Sequence, residues 1–334
     1  MNWLRFLGIL GLAAAAACSE THSALTPAGP DASSIARLIW TFIVVCGVIW
    51  LAVLSVLAIA VLRRRGMRPD PLATDPVKEV SAGRVIALCV AGTALVVVAF
   101  SIISFFGQRR LFAENASDVN LQLSGHQWWW EVQYQGEDPS RQFETANEIH
   151  IPVGASVAIK LKTADVIHSF WIPSLAGKMD QITGQQNELR LSASRPGIYR
   201  GQCAEFCGKQ HAKMAIFVVA SSTAEFDTWR ENQIRPAATP SDPAAEAGMH
   251  TFFYRGCILC HTVRGTSAGG KLGPDLTHVA SRKTIAAGTL PNTPGNLGGW
   301  IADPQHIKPG AQMPSMRLDG QDLSSLVTYL AGLR

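Results

Sequence analysis

The sequence predicts three structural parts in one chain: a pair of membrane-spanning helices, an all-β domain and an all-α domain. Two apolar runs, at residues 38–62 and 85–107, contain no charged residue. Each exceeds the roughly 20 residues that cross a hydrocarbon layer of about 30 Å. Between residues 118 and 219 apolar residues alternate with polar ones, as in the strands of a β-sandwich or barrel. After residue 245 the apolar spacing becomes helical.

The first residues have the features of a secretory signal. Arg5 precedes an apolar stretch at residues 6–17, and residues 15–18 read Ala-Ala-Ala-Cys. This ending is similar to a lipoprotein cleavage box, although the leucine usual at its first position is absent. We expect residues 1–17 to be a signal peptide of the lipoprotein type and Cys18 to become the lipidated first residue. The alternative is an uncleaved anchor with an incidental cysteine.

Residues 35–109 are predicted to form a transmembrane helical hairpin. The connection between its two spans carries four arginines, at positions 63, 64, 65 and 68. Clusters of positive charge stay on the cytoplasmic side of a membrane, so we expect everything after residue 110 to lie outside. The net charge of +4 gives no reason to expect a nucleic-acid partner.

Residues 115–233 are predicted to form the all-β domain, followed by a linker at 234–244. The linker is rich in proline and alanine, which is typical of a semi-rigid spacer. Its end predicts the start of a helix, with Asp242 as the cap and Pro243 in the first turn. A glycine-rich stretch from residue 288 to residue 299 is expected to be a loop.

Soft metal ligands are concentrated in one short segment of the β region. Cys203, Cys207, His211 and Met214 lie within it, and His168 is a further candidate. Sulfur and imidazole ligands with a weak methionine are typical of copper sites that transfer electrons. Two cysteines can bridge a pair of ions, each completed by one histidine. A disulfide or a structural zinc site would use the same cysteines, and the methionine favours copper.

A second motif lies in the helical region. Cys257, Cys260 and His261 form the CxxCH pattern of covalent haem attachment, in which the histidine binds the iron. An electron carrier needs a second axial ligand, and a His/Met pair raises its potential. Met313 is the favoured residue because prolines on both sides restrict its loop. Met316 and His306 are the alternatives.

The copper motif and its surroundings resemble the binuclear CuA site of subunit II of haem-copper cytochrome oxidases. The similarity covers residues 125–130, 165–170 and 194–202, and it implies a cupredoxin fold of the Greek-key type. The resemblance further implies the ligand arrangement. One copper would take His168 and Met214, and the other His211 and the main-chain carbonyl of Glu205.

The same resemblance assigns two further residues. Trp128 matches the aromatic residue through which electrons enter, and the side chain of Glu205 would face a magnesium ion at the junction with subunit I. The family usually has tyrosine where this chain has Trp129, so the ring is kept and the hydroxyl is lost. Glu79 lies near the position of a family glutamate, but the surrounding motif is missing, so we assign it no role.

Residues 245–334 resemble a class I cytochrome c. Gly248 and residues 252–254 match its first helix, and the last helix contains apolar residues at helical spacing. In that family the two helices cross. The resemblance also implies that the Pro274 carbonyl accepts the N–H of His261.

Together these features predict subunit II of a caa3-type cytochrome c oxidase in a bacterial inner membrane, with both redox domains on the periplasmic side. Its expected cofactors are CuA, one covalent haem c and a possible magnesium ion. Its expected partners are subunits I and III, with cytochrome c or quinol–cytochrome c reductase as the electron donor. Oxygen reduction is expected on another chain. The alternatives are a membrane-anchored CuA and haem c carrier for another terminal reductase, and nitrous-oxide reductase.

Overall fold

The computed structural model describes residues 22–64, 76–111 and 116–334. The predicted signal peptide and Cys18 therefore lie outside the described residues. Two compact units are formed. One contains the described residues between 34 and 111, and the other contains residues 22–33 and 116–334.

Two long helices make up the first unit, except that residues 30–33 at the start of the earlier helix belong to the other unit. Helix α1 spans Pro30–Arg64 and helix α2 spans Pro76–Leu111, so both extend beyond the apolar runs seen in the sequence. By length and composition, Pro30–Arg63 and Glu79–Arg109 are each able to cross a membrane. Phe42 and Phe100 stack between the two helices, with ring centroids 4.0 Å apart.

The β domain is a sandwich of two five-stranded sheets, with strand orders β3-β2-β1-β5-β8 and β4-β10-β9-β6-β7. Strands β1 and β5 pair in parallel, as do β4 and β10, and the other pairs are antiparallel. The strands are β1 Val119–His126, β2 Trp129–Gln135, β3 Phe143–Ala146, β4 Glu148–Pro152, β5 Val157–Thr163, β6 His168–Trp171, β7 Met179–Gln181, β8 Asn187–Leu191, β9 Gly197–Cys203 and β10 Ala215–Ser221.

The core of the sandwich follows from the period-two pattern of its strands. Along β2, Trp130, Val132 and Tyr134 are buried while their neighbours are half-exposed. Alternate side chains point to opposite faces of a strand, so these three enter the space between the sheets. Helix α3, Thr223–Ile234, follows β10 and begins with a capping box between Ser222 and Glu225.

The C-terminal domain is mainly helical. As the sequence predicts, Asp242 caps helix α4 by accepting from the N–H of Ala244, and Pro243 lies in the first turn. Two short strands, β11 Thr284–Ile285 and β12 Leu290–Pro291, pair as an antiparallel ribbon. The helices of this domain are α4 Pro243–Tyr254, α5 Pro294–Ala302, α6 Pro304–Ile307 and α7 Gly320–Gly332.

Helix α5 corrects the expectation of a loop at 288–299. The Thr293 side chain accepts from the N–H of Asn296, and Pro294 occupies the first turn. This cap and proline start a helix, and the buried side chains of Leu297 and Ile301 hold it against the domain core.

Helices α4 and α7 cross at Gly248. A Cβ atom at this position would lie 1.9 Å from the Ser325 carbonyl oxygen and 2.9 Å from Tyr329 Cβ. The backbones of the two helices therefore approach as closely as the absence of a side chain allows. This is the crossing that the resemblance to class I cytochrome c implies.

Candidate metal and haem sites

The strands of the second sheet bring the predicted copper ligands to one end of the sandwich. His168 begins β6 and Cys203 ends β9, and these two strands pair directly. A loop then carries Cys207 and a short 3₁₀ turn that starts at His211. Met214 follows just before β10, which pairs with β9. Residues distant in sequence thus meet because adjacent strands carry them.

Five of the predicted ligand side chains lie close together around the two sulfur atoms. The ligand atoms of His168, Cys203 and Cys207 all lie within 4.8 Å of one another. The individual distances are 3.8 Å between Cys203 Sγ and Cys207 Sγ, 3.8 Å between Cys203 Sγ and His168 Nδ1, 3.5 Å between Cys207 Sγ and His211 Nδ1, and 3.8 Å between Cys207 Sγ and Met214 Sδ.

The cluster has the chemistry of a soft-metal site. The cysteines are free thiols, and Cys203 Sγ lies 3.2 Å from the main-chain oxygen of Glu205. The adjacent Cys207 thiol lowers the pKa of Cys203, whereas the Cys203 sulfur raises the pKa of Cys207. Two neighbouring thiolates repel each other, so a soft cation bound between them would stabilise both as thiolates. The donor set fits copper.

Asp165 orients one of these imidazoles, a role that the sequence analysis missed. Its Oδ1 lies 2.8 Å from His168 Nε2, and its Oδ2 accepts the N–H of Gln127 at 2.6 Å. With Nε2 held by the carboxylate, Nδ1 is the His168 atom that faces Cys203. Partners of this kind fix the ring orientation of metal-binding histidines. The sequence feature that could have indicated this role is the position of Asp165, three residues before the candidate ligand His168.

Trp128 lies against the loop that carries the cysteines. Its indole N–H donates to the Cys207 carbonyl at 2.9 Å, and the residue is only 8% exposed. Trp129 lies elsewhere and stacks on His126, with ring centroids 4.4 Å apart. Of these two tryptophans, Trp128 is therefore the one that is hydrogen-bonded to the loop of the cysteines.

The CxxCH segment is arranged to present one imidazole nitrogen. His261 Nδ1 lies 2.8 Å from the Pro274 carbonyl oxygen, so Nδ1 carries the proton and Nε2 is left as the ligand atom. Burial lowers the pKa of His261, which favours the neutral form. A Cβ at Gly273 would lie 2.7 Å from His261 Cε1, so glycine is needed beside the ring. These residues fit an iron-ligating histidine with Cys257 and Cys260 nearby.

The predicted second axial ligand lies on a restrained loop. Gln305 Nε2 donates to the carbonyls of Ala311 and Met313, at 2.7 and 2.8 Å. Met313 packs against the core of the helical domain, whereas His306 is exposed. These contacts favour Met313 over His306.

The carboxylates of two other candidates make no contact with the described residues that assigns them a role. Glu79 is exposed in the first turn of α2. Glu205 is half-buried beside the sulfur atoms, and the magnesium ion expected at its side chain remains a prediction.

Comparisons with known proteins match both domains. The family profile described as "Cytochrome C oxidase subunit II, periplasmic domain" matches residues 135–221, and the cytochrome c profile matches residues 245–334. Cytochrome c oxidase subunit 2 of Alkalihalophilus pseudofirmus is 33% identical over 323 residues, covering 94% of this chain and 92% of that protein. This chain is a member of the cytochrome c oxidase subunit 2 family.

Other members align over less of the chain. Cytochrome c oxidase subunit 2 of Bacillus subtilis is 32% identical over 233 residues, covering 66% of this chain and 64% of that protein. The crystal structure of the periplasmic domain of subunit II of cytochrome oxidase from Bradyrhizobium japonicum is 31% identical, with a TM-score of 0.34. It covers 36% of this chain and 95% of that one.

Membership of the family confirms the fold class predicted from the sequence: two apolar helices, a cupredoxin-like sandwich and a cytochrome c domain. It also makes the chain a component of a haem-copper oxidase, associated with subunit I. The two domain families imply copper and haem as cofactors. Lipidation of Cys18 stays a prediction.

Proposed function

We propose that this chain is subunit II of a caa3-type cytochrome c oxidase and passes electrons through its own haem c to a CuA centre. From there they would reach the haem of subunit I, where O2 is reduced to water. The observation that carries the proposal is the cluster of two thiols, two imidazoles and one thioether beside Trp128, in the same chain as a CxxCH domain.

The proposed CuA ligands are the side chains described above and one carbonyl. Cys203 and Cys207 would hold both coppers, and Asp165 orients His168 so that Nδ1 faces Cys203 and would be free to bind copper. When bound, such a copper pair would take up and release one electron with little change in geometry. The remaining ligands are His211, Met214 and the Glu205 carbonyl. The Glu205 carboxylate is the proposed contact for magnesium.

In the proposed haem site Cys257 and Cys260 would form the covalent links, and His261 and Met313 would bind the iron. The hydrogen bond from His261 Nδ1 to the Pro274 carbonyl fixes the ring and increases the basicity of Nε2. A His/Met pair gives a relatively high reduction potential, which suits a centre that accepts electrons from cytochrome c or quinol–cytochrome c reductase.

The contact between the two domains supports transfer within the chain. A Cβ at Gly310, three residues before Met313, would lie 3.7 Å from Cη2 of Trp128. Trp128 in turn donates to the Cys207 carbonyl. Trp128 therefore lies between the loop of the proposed haem ligand and the loop of a proposed copper ligand.

The arginine-rich connection between α1 and α2 supports an orientation with both redox domains outside the cytoplasm. In a bacterium this places them on the periplasmic side of the inner membrane. The proposed complex also contains subunit III.

Purification of the full-length chain from membranes tests the proposal. We expect a many-span haem protein to co-purify, and we expect reduction of haem c to be followed by reduction of copper and consumption of oxygen. Unchanged oxygen consumption after deletion of this subunit would instead favour a carrier for another terminal reductase.

A further inference from the structure

A lysine is buried where the cytochrome c domain meets the sandwich. Lys308 is 3% exposed, and its Nζ donates to the Trp128 carbonyl at 2.6 Å and to the Ala286 carbonyl at 3.2 Å. None of the ion pairs found among the described residues includes Lys308. Lysine is seldom fully buried without a charged partner, so this placement calls for a physical reason.

The reason lies in the two acceptors. Trp128 belongs to the sandwich and Ala286 to the cytochrome c domain, so one ammonium group joins both. Burial, and then the charge of Lys213, lower the pKa of Lys308 to about 7. An apolar side chain would avoid this desolvation cost, but it could not donate to either carbonyl.

The residues around Lys308 are tied to the copper loop. Lys213 Nζ donates to the Ile307 carbonyl at 2.5 Å, and Gln210 Nε2 donates to the Pro309 carbonyl at 2.7 Å. Three consecutive residues of the cytochrome c domain are therefore held by the sandwich. The same loop continues to Met313.

The second acceptor anchors another segment of the cytochrome c domain. The Ala287 carbonyl, next to Ala286, accepts the N–H of Ala215, which follows Met214. A Cβ at Gly288 would lie 2.7 Å from Ala215 Cβ. Lys308 thus connects the two segments of the cytochrome c domain that lie against the stretch carrying the proposed copper ligands His211 and Met214.

We propose that Lys308 is a positioning residue: it fixes the Met313 loop against Trp128 and so sets the docked arrangement in which haem and copper exchange electrons. The inference rests on the electron route proposed above. In that step one electron leaves ferrous haem, which becomes ferric, and enters the oxidised copper pair. Lys308 itself gains and loses no electron.

Hydrogen–deuterium exchange on the full-length chain tests the docking directly. Lys308→Met keeps the length and apolar stem of the side chain, but it leaves the buried Trp128 carbonyl without its donor and the Ala286 carbonyl with the Thr289 hydroxyl alone. We expect exchange at residues 126–130 and 305–313 to become roughly tenfold faster, the change typical of losing a buried hydrogen-bond partner. The rest of the sandwich and helices α4 and α7 should exchange as in the wild type.

The second readout is the single-turnover rate of electron transfer from haem to copper in the assembled oxidase. We expect Lys308→Met to slow this rate roughly tenfold, because the docked fraction falls by that factor. The absorption and electron paramagnetic resonance spectra of both centres should stay unchanged, since Lys308 donates to main-chain carbonyls and to no proposed ligand side chain. The rate constant of a single turnover does not depend on the fraction of chains that carry haem and copper.

Lys271→Met is the matched control. Lys271 also links the two domains, through an ion pair of 2.7 Å with Glu144, but its side chain is 65% exposed. Exposed ion pairs stabilise by about 0–1 kcal/mol, so the transfer rate should change by less than about fivefold.

Wild-type exchange and a wild-type transfer rate in Lys308→Met would overturn the proposal while leaving the proposed function intact. Absence of haem-to-copper transfer in the wild-type chain would instead overturn the proposed function. If Lys308→Met does not bind haem, Lys308→Gln replaces it. The shorter glutamine cannot span both carbonyls, so the same slowing is expected, and wild-type behaviour would again overturn the proposal.

Discussion

Gly125→Ala should disturb the copper site through one atom. A Cβ at Gly125 would lie 2.6 Å from His168 Cδ2, 2.9 Å from His168 Cγ and 2.8 Å from Gln181 Oε1. Carbon atoms in contact are normally about 3.5–4.0 Å apart, so the ring would have to move by roughly 1 Å. His168 is fully buried and held by Asp165, so it has no free space to move into.

We expect this overpacking to lower the free energy of unfolding by about 1–3 kcal/mol. The ring would also turn away from Cys203, so the copper signal in electron paramagnetic resonance should change or be lost. Gly136→Ala is the control, because its nearest new contact would be an ordinary 3.7 Å to the Asp138 carbonyl oxygen. A Gly125→Ala chain with wild-type stability and a wild-type copper signal would refute this reasoning.

Four other substitutions have distinct expected outcomes. Gly248→Ala should lower the free energy of unfolding of the cytochrome c domain by about 1–3 kcal/mol, measured by calorimetry. Gly299→Ala is its control and should not lower this free energy, because the space around Gly299 is open. Met214→Ala should alter the copper signal and leave the haem absorption unchanged, and Met313→Ala should do the reverse; crossed effects would contradict the ligand assignment. In the wild type the docking of the two domains should weaken as the pH falls from about 6 to 3, measured by hydrogen exchange, and Glu148→Gln should remove this pH dependence.

The sign of the Glu148 effect follows from its contacts. Glu148 Oε1 lies 2.7 Å from His150 Nε2, and Oε2 accepts the N–H of Lys283 from the other domain at 2.9 Å. Burial alone would raise the pKa of Glu148, but these hydrogen bonds and the nearby Arg282 charge lower it. The ionised form therefore stabilises the docked chain above the ordinary pKa, and this contribution is lost as pH falls through the lowered value.

The copper cluster could be predicted because most of its donors are close in sequence. Cys203, Cys207, His211 and Met214 share one loop, and their spacing alone brings them together. His168 was only a further candidate, because it is distant in sequence and the pairing of β6 with β9 brings it to the cysteines. The CxxCH histidine was predictable for the same local reason.

What the sequence did not predict depends on packing between distant segments. The sequence does not reveal the role of Lys308, because its burial and its two acceptors in different domains depend on the folded structure. Asp165 gained its role from the orientation of His168. Helix α5 was missed because glycines dominate its composition, although Thr293 and Pro294 carry the signal for a helix start.

Metal analysis and electron paramagnetic resonance on the intact, purified chain test most directly whether Cys203 and Cys207 together bind two coppers. We expect two coppers per chain that share one unpaired electron, together with one covalent haem. A disulfide between Cys203 and Cys207 in the fully loaded, active protein, or zinc in place of copper, would contradict the proposed CuA centre.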